Sequence, residues 1–200
     1  PINFNAPYKA ISIQDFWRRW HITLSRWLRD YIYIPLGGSK NGMIKTLMNL
    51  MVTFLLGGLW HGASWNFVIW GGLHGMACCI NHLWTKTGYF LPRYVAIPLT
   101  FLFVNFAWVF FRAPDLSTAA TITTAMLSPE HIHLFAIGYQ ELLIFTSVFM
   151  VTFLPTSQSI AFGISPNLMP FSALLVGAVI VISVLSQNNA PSSPFLYFNF

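Results

Sequence analysis

Two histidines, His21 and His61, have the residue type and the surroundings that proton-transfer chemistry needs. His21 lies in a basic, tryptophan-rich segment, and His61 lies in a long apolar run rich in glycine and tryptophan. Because no acidic residue is close to His61 in the sequence, an apolar environment favours its neutral imidazole. A neutral imidazole can accept a proton near pH 7, which is what a general base must do. Glycines on both sides of His61 would let a substrate approach closely.

The segment around His21 has the periodicity of an amphipathic helix. Between residues 12 and 30, apolar side chains recur at intervals of three and four. On a helical wheel, His21 falls on the same apolar stripe as Trp17 and Leu24. The opposite side of this predicted helix carries Arg18, Arg19, Arg26 and Arg29. These arginines could bind the phosphates of an anionic ligand or could face lipid headgroups, and the sequence leaves both interpretations open.

The ends of this helix also have sequence signals. Ser12 followed by Asp15 predicts its start, because the serine oxygen can accept from a free backbone amide and an acid favours the positive end of a helix. Pro35 and the pair Gly37–Gly38 predict its end. The segment is therefore expected to be one basic helix lying at the membrane interface.

The composition predicts an integral membrane protein of the all-α class. The chain has 200 residues, of which 56% are hydrophobic and 8% charged, and its mean hydropathy is +0.62. A soluble domain would have about 25% charged residues. Five apolar runs approach the roughly 20 residues that a bilayer-spanning helix needs. They cover residues 44–60, 65–84, 94–111, 137–154 and 170–186.

The first two of these runs meet at His61-Gly-Ala-Ser64. So short a junction favours a re-entrant hairpin or a broken helix within the membrane over two independent spans. Irregular backbone at that depth is stable only where protein or a water-filled cavity covers it. Trp60, Trp65 and Asn66 flank the turn and are expected to line this cavity, although they could simply pack against it.

The basic residues are unevenly distributed. Seven of the ten lysines and arginines precede the predicted span that begins at residue 44 or lie at its start. The positive-inside bias places residues 1–45 at the cytoplasmic face and leaves residues 46–200 for spans and loops. Residues 113–136 are predicted to form an external loop. The net charge of +5 suits anionic lipid and an anionic donor such as coenzyme A, and nucleic acid is not an expected partner.

Other chemically capable residues have weaker patterns. His74 and His82 lie near one face of the second apolar run, but no carboxylate joins them, so no metal site is predicted. Cys78 and Cys79 are adjacent and have no other cysteine to pair with, which argues against a structural disulfide. No serine lies in a Gly-x-Ser-x-Gly elbow, so a serine hydrolase has no motif support.

Three longer runs resemble a known family. They are Asp-Phe-Trp-Arg-Arg-Trp-His at 15–21, Trp-Leu-Arg-Asp-Tyr-Ile-Tyr-Ile-Pro-Leu-Gly-Gly at 27–38 and Leu-Gly-Gly-Leu-Trp-His-Gly-Ala-Ser-Trp at 56–65. Together they resemble the membrane-bound O-acyltransferases, above all the bacterial branch that contains the alginate O-acetylation membrane protein. The resemblance is strong over residues 11–75 and looser elsewhere, and the spacing of 40 between the two histidines also fits that branch.

The resemblance implies acyl transfer in a multi-pass protein of the bacterial inner membrane. His61 matches the family's essential intramembrane histidine, the base, and His21 matches a second polar position where other branches carry Asn or Asp. A thioester donor such as acetyl-CoA would approach from the cytoplasm, with no tightly bound cofactor and no metal. The acceptor would be a hydroxyl of an extracytoplasmic polysaccharide such as alginate or of a cell-wall polymer, reached directly or through a periplasmic acetyltransferase partner.

The same resemblance bears on domain organisation and on rival functions. Family members have further spans before this region, so residues 1–200 are expected to be the C-terminal part of one membrane domain and to be inactive alone. A D-alanyl-transfer protein of the same family is the nearest alternative, although the run Ile34-Pro-Leu-Gly-Gly38 resembles the acetylation branch. A non-catalytic transporter or channel is the other, but the sequence lacks the internal repeats typical of transporters.

Overall fold

The computed structural model describes residues 2–128 and the isolated positions 146, 155, 159 and 163. The chain divides into two compact units, Pro1–Leu154 and Pro155–Phe200, and every helix described below belongs to the first. Over residues 2–128 the structure is helical and contains no strand, which agrees with the predicted all-α class. The predicted spans 137–154 and 170–186 lie outside the described residues.

Six α-helices follow one another in residues 2–128. They are α1 (Ile13–Trp17), α2 (Ile22–Leu28), α3 (Met43–His61), α4 (Trp65–Thr85), α5 (Arg93–Arg112) and α6 (Leu116–Leu127). A short 3₁₀ helix, Pro7–Lys9, precedes α1, and a π-helical turn, Arg29–Tyr33, continues α2. Helices α3, α4 and α5 match the first three predicted apolar runs to within one residue at each end. Of the described helices, α3 and α5 are long and apolar enough to cross a membrane.

The prediction of one continuous amphipathic helix around His21 is wrong. Helix α1 ends at Trp17 and α2 begins at Ile22, with His21 as the residue that precedes α2. The break has a tertiary cause, because the N-terminal segment supplies competing hydrogen bonds. The Ile22 amide donates to the Asn3 carbonyl at 3.0 Å, and the Asn5 amide donates to the Arg19 carbonyl at 2.9 Å.

The predicted start of the basic segment is confirmed. The Asp15 amide donates to Ser12 Oγ at 3.1 Å, so Ser12 caps α1 as its sequence position indicates. Asp15 in turn accepts from the Ile11 amide at 3.1 Å. These bonds satisfy amides that a helix start would otherwise leave unpaired.

Helices α3 and α4 form a tightly packed hairpin, in which glycine permits the close approach of the two backbones. A Cβ atom added to Gly58 would collide with the carbonyl oxygen of Phe67, and one added to Gly71 would collide with that of Phe54. Small residues at such positions let membrane helices pack backbone to backbone. The turn between the helices spans only residues 62–64, so His61 lies at the tip of the hairpin.

The predicted external loop at 113–136 is also wrong over its first half. Residues Leu116–Leu127 form α6, and Asp115 caps this helix by accepting from the Thr118 amide and the Ser117 hydroxyl, both at 2.7 Å. The polar residues that suggested a loop are the capping Asp115 and the serine and threonines of this helix. The rest of the predicted loop, with His131 and His133, lies outside the described residues.

The core of the first unit joins the short α1 to the long α4 and α5. Its buried apolar side chains are Ala10, Ile13, Phe16, Trp17, Trp70, Cys78, Val104 and Ala107. A helix of five residues is not stable alone, so α1 depends on this packing for its conformation. The core therefore decides where the segment carrying His21 lies relative to α3 and α4.

Candidate functional site

His61 is buried in a pocket of aromatic rings at the end of α3. The ring centroids of Trp60 and Phe111 lie 4.9 Å from its own, that of Trp70 lies at 5.3 Å and that of Phe67 at 6.1 Å. Trp70 and Phe111 meet the imidazole nearly edge-on, at 89° and 80°. Nδ1 of His61 is buried and has no hydrogen-bond partner among the described residues. The imidazole is thus held by ring contacts, while a nitrogen stays uncommitted.

His21 occupies a strained position at the start of α2. Its φ is 43° and its ψ is 54°, the left-handed conformation, which costs a residue with a side chain about 1–2 kcal/mol. Partial burial lowers the pKa of His21, and its own backbone only partly opposes this effect. The neutral imidazole is therefore favoured at pH 7. Strained residues of this kind are frequent at functional sites, where the surrounding structure holds them in place.

The fold brings the segments that carry the two histidines close enough for a charge on the His21 imidazole to act on that of His61, although the two residues are 40 positions apart in the sequence. The helices that carry them are in contact, since Leu28 of α2 packs on Gly57 of α3. Each imidazole has a buried Nδ1 without a partner in the described part of the chain. Such a pair could hold a hydroxyl group and accept its proton.

The four arginines do not act as one cluster. Arg18 and Arg29 line a cavity of about 280 Å³ that lies among α1, α2, α3 and α4, and Arg26 does not line it. Arg19 is engaged elsewhere, because its Nε donates to Asp15 Oδ1 at 2.9 Å. Arg29 also pairs with its exposed neighbour Asp30 at 2.7 Å. The sequence prediction placed Arg18 on the side opposite Trp17, whereas in the structure both residues line this cavity.

One side of this cavity is formed by α3, the helix that ends at His61. Thr53, Gly57 and His61 follow at intervals of four and are all buried, so they form one stripe of the helix. Thr53 lines the cavity, and it lies about 12 Å from His61 along the helix axis. Leu28 lines the same cavity and packs on Gly57.

The residues next to the hairpin turn differ in how far they are exposed. Asn66 is 2% exposed, and its Nδ2 donates to the Ala113 carbonyl at 2.8 Å, which ties the start of α4 to the end of α5. Trp60 and Trp65 are 55% and 72% exposed. The cavity-lining role given to these three residues stays a prediction, with Asn66 the one that lies inside the packed structure.

The structure also describes the surroundings of His74, His82 and the two cysteines. His74 is fully buried and accepts a hydrogen bond from the Trp17 indole. No local pattern predicts this contact, because the two residues are 57 positions apart. His82 lines the cavity with Arg18 and Arg29. Cys78 and Cys79 are both free thiols. In residues 2–128 and the four isolated positions, no three His, Cys, Asp or Glu side chains are grouped so that they could hold a metal ion.

The described fold defines an α-helical protein with two helices long and apolar enough to cross a membrane and with a buried imidazole at the end of one of them. The family model of the membrane-bound O-acyltransferases matches residues 1–113, which include α1 to α5 and both site histidines. The chain belongs to this family.

Individual relatives agree with this membership. A "Peptidoglycan O-acetyltransferase" of Helicobacter pylori is 52% identical over 131 residues, which cover 64% of this chain and 25% of that protein. A "Probable alginate O-acetylase AlgI" of Pseudomonas putida is 38% identical over 99% of this chain and 46% of its own length. A "Teichoic acid D-alanyltransferase" of Bacillus subtilis is 35% identical over 56% of this chain and 32% of that protein. The chain thus spans less than half the length of each of these relatives.

Proposed function

We propose that the protein carrying this sequence is a multi-pass enzyme of the bacterial inner membrane that transfers an acetyl group from a thioester to a polymer hydroxyl. The observation that carries this proposal is the buried imidazole of His61, whose Nδ1 is uncommitted and which lies within range of a charge on His21. The relatives named for peptidoglycan and alginate O-acetylation support acetyl as the group and an extracytoplasmic polysaccharide or cell-wall polymer as the acceptor.

In this mechanism His61 acts as the general base. Its neutral imidazole removes the proton from the acceptor hydroxyl as the oxygen attacks the thioester carbonyl. The new C–O bond forms, the C–S bond breaks, and the proton passes from His61 to the departing thiolate. His21, whose lowered pKa keeps it neutral at pH 7, orients the reacting groups by hydrogen bonding. Both imidazoles are needed in the uncharged state before the reaction.

The cavity lined by Arg18 and Arg29 is the binding site for the donor in this proposal. Arg18 is exposed and Arg29 is largely so, and together they can bind the phosphates of acetyl-CoA by charge-assisted hydrogen bonds. The cavity of about 280 Å³ is slightly smaller than typical pockets for drug-sized ligands, which hold roughly 300–1,000 Å³. It suits the thin acyl-bearing arm of the donor, with the nucleotide remaining outside. The donor is a substrate in this proposal, not a tightly bound cofactor.

The membrane placement follows from charge and length. Residues 1–45 lie at the cytoplasmic face, as the positive-inside bias favours. Helix α3 has 19 residues and is therefore about 28 Å long, close to the roughly 30 Å of the hydrocarbon core. An upright α3 would place His61 towards the side from which an extracytoplasmic acceptor arrives, and a tilted or re-entrant hairpin would place it deeper. Either placement leaves the donor cavity on the cytoplasmic side of His61.

A second candidate function is D-alanyl transfer, which the named relative from Bacillus subtilis supports. It would use the same histidines and a different thioester, so the donor that is consumed separates the two. Membership of an acyltransferase family argues against the transporter or channel alternative. A periplasmic acetyltransferase that receives the acetyl group remains part of the proposal, because polymer chains are long and the site is narrow.

The test is acetyl transfer from radiolabelled acetyl-CoA by membranes that contain the protein carrying this sequence at its natural length. Wild type is compared with His61→Ala at matched expression, and Ile44→Ala on the exposed face of α3 serves as a control in the same helix. Label on a glycan or a partner protein with wild type and Ile44→Ala alone supports the proposal. Equal transfer by His61→Ala would remove His61 from the chemistry. Transfer seen only when a radiolabelled D-alanyl thioester replaces acetyl-CoA would favour the second candidate.

A further inference from the structure

His74 is a polar side chain placed in the centre of the aromatic core. It is fully buried, and five aromatic rings lie with centroids 4.9–6.3 Å from its own. They belong to Phe16, Trp17, Phe54, Trp70 and Phe103. Burying an imidazole in such surroundings is unfavourable unless it is hydrogen-bonded, so a leucine would serve packing alone better.

One hydrogen bond fixes the state of this imidazole. The Trp17 indole N–H donates to Nδ1 of His74 at 3.2 Å. Because an indole nitrogen can only donate, Nδ1 must accept, and the proton of the neutral imidazole must lie on Nε2. The bond therefore selects one tautomer and one ring orientation of His74. It also joins α1 to α4 across 57 residues of sequence.

Trp17 connects His74 to His21. It is the last residue of α1, and His21 follows four residues later, after the turn that separates α1 from α2. A helix as short as α1 has no stability of its own, so its docking sets where this turn lies. The bond to His74 gives that docking a directional contact that apolar packing does not provide.

Trp70 connects His74 to His61. Its ring centroid lies 4.9 Å from that of His74 and 5.3 Å from that of His61, so the indole is in contact with both imidazoles. Trp17 also touches Trp70, with centroids 5.9 Å apart. His74 thus packs against two tryptophans: Trp17 precedes His21 by four residues, and Trp70 contacts His61.

We propose that His74 is a positioning residue, which holds Trp17 and Trp70 so that His21 and His61 face each other in the reactive arrangement. This inference rests on the proposed acyl transfer at that pair. His74 itself does not touch the substrate in this arrangement. Its effect is on the geometry of the base, and a misplacement of about 1 Å can lower the rate of a positioned reaction by roughly a hundredfold.

The variants that test this role differ in hydrogen bonding at similar size. His74→Leu removes the acceptor, Trp17→Phe removes the donor, and His74→Asn keeps an acceptor oxygen near the position of Nδ1. Trp84→Phe, an exposed tryptophan of α4, is the matched control for replacing an indole. Donor kcat and KM are measured for each variant in membranes with equal amounts of protein, beside thermal stability in detergent.

We expect His74→Leu and Trp17→Phe each to lower kcat about tenfold or more. Donor KM should be unchanged in His74→Leu and is compared only among the His74 variants, because Trp17 lines the donor cavity. His74→Asn should recover most of that loss, and Trp84→Phe should have no effect. The Trp17→Phe, His74→Leu double variant should lose no more than the worse single variant, because both remove the same bond. A wild-type kcat in His74→Leu, an equal loss in His74→Asn and His74→Leu, or additive losses in the double variant would overturn the positioning role.

A second readout separates this inference from the proposed function. The indole N–H resonance of Trp17, assigned as the one missing in Trp17→Phe, should shift in His74→Leu and return towards its original position in His74→Asn. If wild type transfers neither an acetyl nor a D-alanyl group, acyl transfer fails and His74 is left as a structural residue, whatever this resonance shows. If wild type is active and the resonance does not respond to His74, the hydrogen bond and the positioning role are both refuted.

Discussion

Leu28 of α2 packs directly on Gly57 of α3. A Cβ atom added to Gly57 would lie 3.1 Å from Leu28 Cδ1, closer than ordinary van der Waals contact. His21 lies at the start of α2, and His61 lies at the end of α3 on the same buried stripe as Gly57. The absence of a side chain at Gly57 therefore sets the approach of the two helices that carry the site histidines.

Gly57→Ala should reduce acetyl transfer roughly threefold to tenfold, since Leu28 must move by a few tenths of an ångström and α2 with it. Gly72→Ala is the matched control. A Cβ atom there would meet Leu55 Cδ2 at 3.7 Å, which is ordinary contact, so this variant should retain wild-type activity. Transfer of radiolabelled acetyl at matched expression measures both. Equal activities of the two variants would show that the contact between α2 and α3 does not set the geometry of the site.

Local sequence signals were sufficient for the long helices and insufficient for the site. Apolar runs bounded by polar or helix-breaking residues predicted α3, α4 and α5 to within one residue. The break before His21 could not be predicted, because it depends on Asn3 and Asn5 competing for hydrogen bonds with residues 19–23. Helix α6 was missed because its capping aspartate and threonine-rich sequence also suit a loop.

In the candidate site, too, the residues could be predicted from the sequence but their contacts could not. His61 and His21 were predicted as site residues from residue type and from a family resemblance. The family match confirms the resemblance, and the roles of the two histidines stay predictions. Their approach to each other and the division of the four arginines could not be found, since both depend on contacts between segments that are far apart in sequence. The bond between Trp17 and His74 is of the same kind.

The left-handed backbone of His21 predicts how this position tolerates change. Asn adopts that conformation more readily than most residues and retains a polar side chain, whereas Leu does neither. His21→Asn should therefore retain more transfer activity and more thermal stability than His21→Leu. Assays of activity and of thermal unfolding in detergent measure the two effects. An Asn variant no better than the Leu variant would mean that neither the backbone strain nor polarity at this position matters.

The lowered pKa of His21 predicts a pH dependence of stability. Burial disfavours the charged imidazole in the folded state, so the unfolded chain binds this proton at a higher pH than the folded protein does. Stability should therefore fall as the pH drops from about 7 through the unfolded pKa of 6.5 towards the folded pKa. His21→Asn, which keeps every other histidine, should lose less stability between pH 7 and pH 5 than wild type. An equal fall in melting temperature between pH 7 and pH 5 for the two proteins would contradict this expectation.

Arg18 and Arg29 should act on donor binding, while Arg26 should not. Arg18→Gln and Arg29→Gln are each expected to raise the KM for acetyl-CoA several-fold with little change in kcat, because they remove binding shared by ground state and transition state. Arg26→Gln leaves the cavity lining intact and is the control. Kinetics at low and at high salt test the charge, since salt screens exposed ion pairs. An unchanged KM in both cavity variants would assign these arginines to the lipid surface.

Asn66 links the stability of the hairpin to the surroundings of His61. Its amide is the donor to the Ala113 carbonyl at 2.8 Å, one residue beyond the end of α5, and Phe111 near that end packs against His61. Asn66→Leu would leave a backbone carbonyl without its partner in an apolar region, at a cost of about 1–3 kcal/mol. The variant should therefore melt at a lower temperature and also transfer more slowly, because Phe111 is less firmly held. Ser117→Ala, in the exposed first turn of α6, is the control, and a loss of stability with fully retained activity would separate α5 from the positioning of His61.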